Sequence, residues 1–147
     1  MDQNLKREII LDHYQNPRNR GLVDDKKYEI SDMDNESCID HVTVQAKVEE
    51  NIIKDIHFDG EACAICTSSA SIMSETLKGK NVEKANQIIS NYYKMIDGEE
   101  YDKDILEEAN VYEDIAKQPN RKKCALLAWW GIGDIVTKEL KDDKGNN

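Results

Sequence analysis

HVTVQAKVEENIIKDIHFDGEACAICTSSASIMSETL, residues 41–77, changes its period halfway. From His41 to Val48 apolar and polar residues alternate: Val42, Val44, Ala46 and Val48 face one way, Thr43, Gln45 and Lys47 the other. That is the pattern of a half-buried strand. Glu49-Glu50-Asn51 reads as a hairpin turn, and Ile52, Ile56 and Phe58 mark a second strand. From Gly60 onward the step changes. Cys63, Cys66, Ala70, Met73 and Leu77 recur every three or four residues, which is one face of a helix. A strand pair running directly into a helix, with no repeat of the strand–helix unit, indicates an α+β fold.

Working outward, Tyr28 and Ile30 suggest a third, weaker strand before Cys38. Leu5, Ile9, Ile10 and Tyr14 give an N-terminal helix over 3–15, ended by Asn16-Pro17. Ala85, Ile88, Ile89, Tyr92 and Ile96 form another helical face, ending at Gly98. Ile105, Ala109 and Tyr112 predict a shorter acidic helix. Cys124, Leu127, Ala128, Ile132 and Ile135 line a last one, with Gly131 and Gly133 inside it at close packing points. Three short antiparallel strands cannot bury both faces alone, so helices must cover one. The 147 residues read as a single domain, 1–147, with a frayed tail from about 141.

The formal net charge of −10 repels phosphate backbones, which argues against nucleic acid as a partner. No apolar run approaches a membrane span, and the N-terminus has no signal-like apolar region, so a cytoplasmic protein is expected. Four cysteines in a reducing compartment point to metal or thiol chemistry rather than structural disulfides.

Cys38, Cys63, Cys66 and Cys124 contain only one close pair, so a shared site must be assembled by the fold. Cys63 falls at the start of its helix, where unpaired N–H groups favour a thiolate. Cys38 and Asp40 are two residues apart, so in an extended chain both face one point. Cys124 follows Arg121, Lys122 and Lys123, and a basic cluster also favours a thiolate. Three thiolates with Asp40 make a tetrahedral zinc site whose carboxylate is the most easily displaced ligand. Four thiolates, with Cys66 replacing Asp40, make a closed structural one. Spacing leaves both open, beside inert core cysteines. His13, His41 and His57 read as surface or packed residues, and Trp129-Trp130 as core and rim.

His13-Tyr14-Gln15-Asn16-Pro17-Arg18-Asn19, Cys38-x-Asp40, Gly60-Glu61-Ala62-Cys63 with Ser69-Ala70-Ser71, and Arg121-x-x-Cys124 resemble, in order, the NifU/IscU-like family of iron–sulfur cluster assembly. The resemblance runs from about residue 5 to 136. Lys123, where the scaffold branch carries histidine, and the stretch Gly98–Arg121, which looks like an insertion, resemble the SufU branch.

The resemblance implies a SufE/NifU-like α+β fold, a three-stranded antiparallel sheet packed against helices. It implies zinc held by Cys38, Asp40, Cys63 and Cys124, with Cys38 as the catalytic acceptor of persulfide sulfur. The partner it implies is a SufS-type cysteine desulfurase, a pyridoxal-phosphate enzyme, with downstream iron–sulfur assembly proteins receiving the sulfur. Arg121 is expected to steer the partner or support the site. The alternative is a scaffold for a [2Fe–2S] cluster on the same ligands. Two positions depart from the family pattern. Ile39 stands where glycine is usual, and Cys66 where serine is common, leaving Cys66 as a core residue or an alternative ligand.

Overall fold

A computed structural model describes residues 1–36 and 39–145. The elements run α1 (Gln3–Gln15), β1 (Glu29–Asp34), β2 (His41–Glu49), β3 (Ile52–Asp59), α2 (Ala64–Leu77) and α3 (Val82–Ile96). Two 3₁₀ segments, Glu107–Lys117 and Pro119–Arg121, lead into α4 (Lys122–Gly145). The strands form one antiparallel sheet in the order β1-β2-β3, as the alternation predicts. Glu50 and Asn51 both take positive φ, 53° and 66°, at the tip of the β2–β3 hairpin. That pairing of angles matches the right-handed twist of the flanking strands.

One sheet face carries the core. Val42, Val44, Ala46, Ile53, Ile56 and Phe58 are buried there beneath α2 and α4. Gly131 lets α4 lie close on the sheet: a Cβ at that position would stand 3.0 Å from Val44 Cγ2 and 3.2 Å from Met33 Cγ. Trp129 is fully buried and Trp130 half-buried, the core-and-rim pair the sequence suggests.

The opposite sheet face is not wholly polar surface. Gln45, expected to face solvent, is 2% exposed. Its amide exchanges two hydrogen bonds with the backbone of Val23, each 2.9 Å, so the segment before β1 folds over it. The outer edge of β3 is also covered, because Gly21 N–H donates to the Phe58 carbonyl and Phe58 N–H to the Asn19 carbonyl.

Two sequence expectations are corrected. In α1 the buried residues are Lys6 and His13, while Leu5 and Tyr14 are exposed. Lys6 reaches the acidic 3₁₀ segment, 2.6 Å from Glu113 and 2.8 Å from Asp114, and His13 Nδ1 bonds Ser71 Oγ at 2.8 Å. The predicted acidic helix is 3₁₀ rather than α. Ala109, Tyr112 and Ile115 bury at a spacing of three, the 3₁₀ period. Among the described residues no helix is long and apolar enough to cross a membrane.

Candidate metal centre

Asp40 sits immediately before β2 and is 2% exposed. The Asn35 amide donates to its carbonyl over 3.0 Å, closing the connection from β1. On its other side the chain leaving β3 is pressed against the start of β2, where His41 N–H donates to the Glu61 carbonyl at 2.8 Å. Only glycine permits that approach. Gly60 has φ +138°, and a Cβ there would lie 2.0 Å from the His41 carbonyl oxygen. The consequence is that Cys63 arrives beside Asp40: its N–H donates to Asp40 Oδ1 at 2.7 Å.

Cys63 is the N-cap of α2, and its Sγ accepts the Cys66 N–H at 3.4 Å. The position is the one the sequence predicts, at the positive end of a helix. Its sulfur lies 3.7 Å from Asp40 Oδ2.

Cys124 comes from the opposite side, in the first turn of α4, and is 8% exposed. That turn is pinned by its neighbour. The Ala125 carbonyl accepts the hydroxyls of Ser69 and Tyr92, each at 2.7 Å. Ser69 Oγ in turn accepts the Trp129 indole N–H at 3.1 Å, and the Tyr92 and Trp129 rings stack with centroids 3.9 Å apart. α2 thus carries Cys63 at its end and, two turns on, the serine that fixes the turn holding Cys124.

One ligand atom each from Asp40, Cys63 and Cys124 lies within 4.8 Å of the others. In a tetrahedral zinc site, zinc–sulfur and zinc–oxygen bonds of about 2.3 and 2.1 Å place a sulfur and an oxygen about 3.6 Å apart. The Cys63–Asp40 separation of 3.7 Å is that of a tetrahedral edge. The donor set therefore fits a zinc-type cation.

The electrostatics of the protein atoms alone run the other way. Burial, then hydrogen bonding to Asp40 and the proximity of Cys63, pushes the Cys124 thiol up to about 12. The expectation that Arg121, Lys122 and Lys123 favour its thiolate is not met, since burial outweighs them. Arg121 and Lys123 are exposed and Lys122 half-exposed. A divalent cation among these ligands supplies the missing positive charge and reverses that balance.

The remaining expected site residues are distributed as follows. Cys38 lies outside the described residues. Cys66 is 0% exposed in the core and is not part of the three-residue group. Arg121 ends the short 3₁₀ turn that leads into α4. Ile39 is 83% exposed beside Asp40, projecting rather than covering it. No histidine among the described residues joins the group: His13 bonds Ser71, His41 pairs with Asp34 at 2.6 Å, and His57 with Asp55 at 2.8 Å. The sequence reading did not identify Gly60 as the steric hinge of the site, nor Ser69 and Tyr92 as its support. The positive-φ signal of a glycine between a strand and a cysteine-capped helix was legible; the hydroxyl contacts are non-local and were not.

Residues 5–125 match the family model of the NifU-like N-terminal domain. The zinc-dependent sulfurtransferase SufU of Bacillus subtilis is 38% identical over 136 residues, covering 92% of this chain and 91% of the relative. The iron–sulfur cluster assembly scaffold protein IscU of Thermotoga maritima is 37% identical over 131 residues, covering 89% and 92%. Among solved structures, an iron–sulfur cluster assembly scaffold protein for the SUF system from Fervidobacterium islandicum superposes with a TM-score of 0.79 at 30% identity, covering 83% of this chain and 89% of that one. Ordered cysteine motifs, sheet topology, an Asp–Cys–Cys cluster and these matches agree: the chain belongs to the NifU-like N-terminal domain family of iron–sulfur cluster assembly proteins.

Proposed function

We propose that the chain is a zinc-bound sulfur carrier that accepts persulfide sulfur from a SufS-type cysteine desulfurase. The observation that carries this reading is the convergence of Asp40, Cys63 and Cys124 within 4.8 Å. The 38% identity to a zinc-dependent sulfurtransferase supports the choice of metal. Asp40, Cys63 and Cys124 would hold zinc together with Cys38, assigned by its place in the Cys38-x-Asp40 motif. Bound zinc holds its thiolates deprotonated at neutral pH.

The chain's own part in transfer is nucleophilic. The Cys38 thiolate attacks the terminal sulfur of the donor persulfide, a sulfur–sulfur bond forms, and the donor's own sulfur–sulfur bond breaks. The donor leaves as a thiolate and Cys38 carries the persulfide, with no net oxidation. Asp40 keeps Cys63 oriented through the 2.7 Å amide bond while this proceeds.

A second reading, a scaffold on which a [2Fe–2S] cluster is assembled, is favoured by the 37% identity to the IscU scaffold. The exposed Lys123, with no imidazole in the ligand group among the described residues, favours the carrier. Anaerobic purification followed by zinc, iron and acid-labile sulfide analysis separates the two. The carrier contains about one zinc per chain with little iron or sulfide, and accelerates the desulfurase unless Cys38 is replaced by alanine. Equal iron and sulfide overturn it in favour of the scaffold; zinc without acceleration leaves only a structural site.

A further inference from the structure

The segment Gly98–Arg121 supplies no ligand to the metal group, yet it builds one wall of a cleft beside it. The cleft, about 250 Å³, opens between α1, the first turn of α2 and the longer 3₁₀ segment. Val111 and Ile115 are buried in its floor, with Ile10 and Ile65 half-buried alongside. Ile65 is two residues from Cys63, and Arg121, on the rim, is three from Cys124.

A buried ion-pair knot and two exposed arginines surround this floor. Lys6 is buried and committed to Glu113 and Asp114, and Asp114 also accepts from Gln3 Nε2 at 2.8 Å. Lys103 also reaches Glu113, at 4.0 Å, so that knot is closed on itself. Arg7 and Arg121 are exposed on the rim, and neither has an ion-pair partner among the described residues. In a chain of net charge −10, two guanidiniums without ion-pair partners among the described residues thus flank an apolar floor near Cys63 and Cys124. Guanidinium forks are matched to carboxylates.

We infer that this cleft is the docking site for a segment of the sulfur-donating partner that presents an apolar side chain followed by a carboxylate. The inference rests on the sulfur-carrier reading for the identity of the partner. Arg7 and Arg121 on the rim complement a carboxylate, and the apolar floor between them takes the neighbouring side chain, which fixes the partner's register against Cys63 and Cys124. The longer 3₁₀ segment provides the apolar wall and the shorter one, through Arg121, half of the charge pair, which gives Gly98–Arg121 a role in recognition.

The test uses the full chain with its cognate cysteine desulfurase. Alanine release is measured against carrier concentration for wild type, Arg7→Glu and Gln118→Glu, the last adding a negative charge at the exposed rim. The expected result is an apparent KM raised about tenfold in each variant, with kcat at saturation within twofold and the wild-type KM rising with salt. Unchanged KM in both variants overturns the proposal. Direct binding by calorimetry is read in parallel. If wild type fails to accelerate the desulfurase, the carrier reading falls, but equal binding by wild type and Arg7→Glu is what sinks the docking site. Sedimentation supplies the other arm: a self-association of the chain alone that Arg7→Glu abolishes would overturn the proposal in favour of a second copy as occupant.

Discussion

Asp40 grips Cys63 twice: its Oδ1 accepts the Cys63 N–H at 2.7 Å, and its Oδ2 stands 3.7 Å from the Cys63 sulfur. One carboxylate therefore orients the start of α2 and contributes a donor to the site. The two roles can be separated. Asp40→Asn keeps an oxygen for the amide but removes the negative charge; Asp40→Ala removes both.

Zinc competition against a chromophoric chelator is expected to show affinity reduced roughly 10- to 100-fold in Asp40→Asn, the scale at which loss of metal-site interactions is felt. Thermal unfolding of the same variant in chelator should stay near wild type. Asp40→Ala should lose the affinity and about 1 kcal/mol of stability besides, because the Cys63 N–H is left without its acceptor. Equal zinc affinity in wild type and Asp40→Asn would remove the carboxylate from the ligand set.

Gly60 permits the approach that makes this grip possible. A Cβ 2.0 Å from a backbone oxygen cannot be accommodated by turning a side chain, and φ of +138° is strained for any residue with a Cβ. Gly60→Ala is expected to cost about 2 kcal/mol or more, a melting temperature lower by at least about 4 °C for a domain of this length, and to weaken zinc binding by moving Cys63 from Asp40. Gly79, at φ +87° with open space around it, is the control. Gly79→Ala should destabilise through φ alone and leave zinc affinity unchanged. A Gly60→Ala protein with wild-type zinc affinity would show that the loop does not set the site.

The sheet and the helix faces were legible because their signals are local. Val42, Val44 and Ala46 alternate in sequence, and Cys63, Cys66, Ala70, Met73 and Leu77 repeat at helical spacing, whatever lies across from them. The failures depend on distant partners. Lys6 is buried because Glu113 and Asp114, more than a hundred residues on, neutralise it, and Gln45 is buried because the Val23 backbone satisfies its amide. The acidic helix was misjudged in type because a spacing of 105, 109 and 112 suits an α-helix, whereas the chain winds with 109, 112 and 115 inward. At the site, Asp40, Cys63 and Cys124 were legible as chemistry. Their convergence depends on Gly60 on one side and on the Ser69–Tyr92–Ala125 contacts on the other, which spacing does not encode.

At the far end of α4 a carboxylate pair makes stability depend on pH. Glu139 faces Glu29 of β1, with Lys138 3.5 Å from the Glu29 carboxylate and Asp142 adding negative charge nearby. Sharing a hydrogen bond with Glu29, and then burial, raises Glu139 to about 7. The folded protein thus binds a proton here more tightly than the unfolded chain. This contribution to stability is fully present below the ordinary glutamate value of 4.5 and is lost as pH rises through about 7. The pair is half-buried and still partly screened by solvent, so the effect is about 1 kcal/mol rather than what the full shift would give. Unfolding in urea at pH 5 and pH 8 should show wild type losing about that much relative to Glu139→Gln, which cannot shed the proton. Zinc affinity measured at pH 8 should be the same in both, since the pair does not contribute to the ligand group. A parallel pH dependence in the two proteins would mean that Glu139 titrates independently of folding.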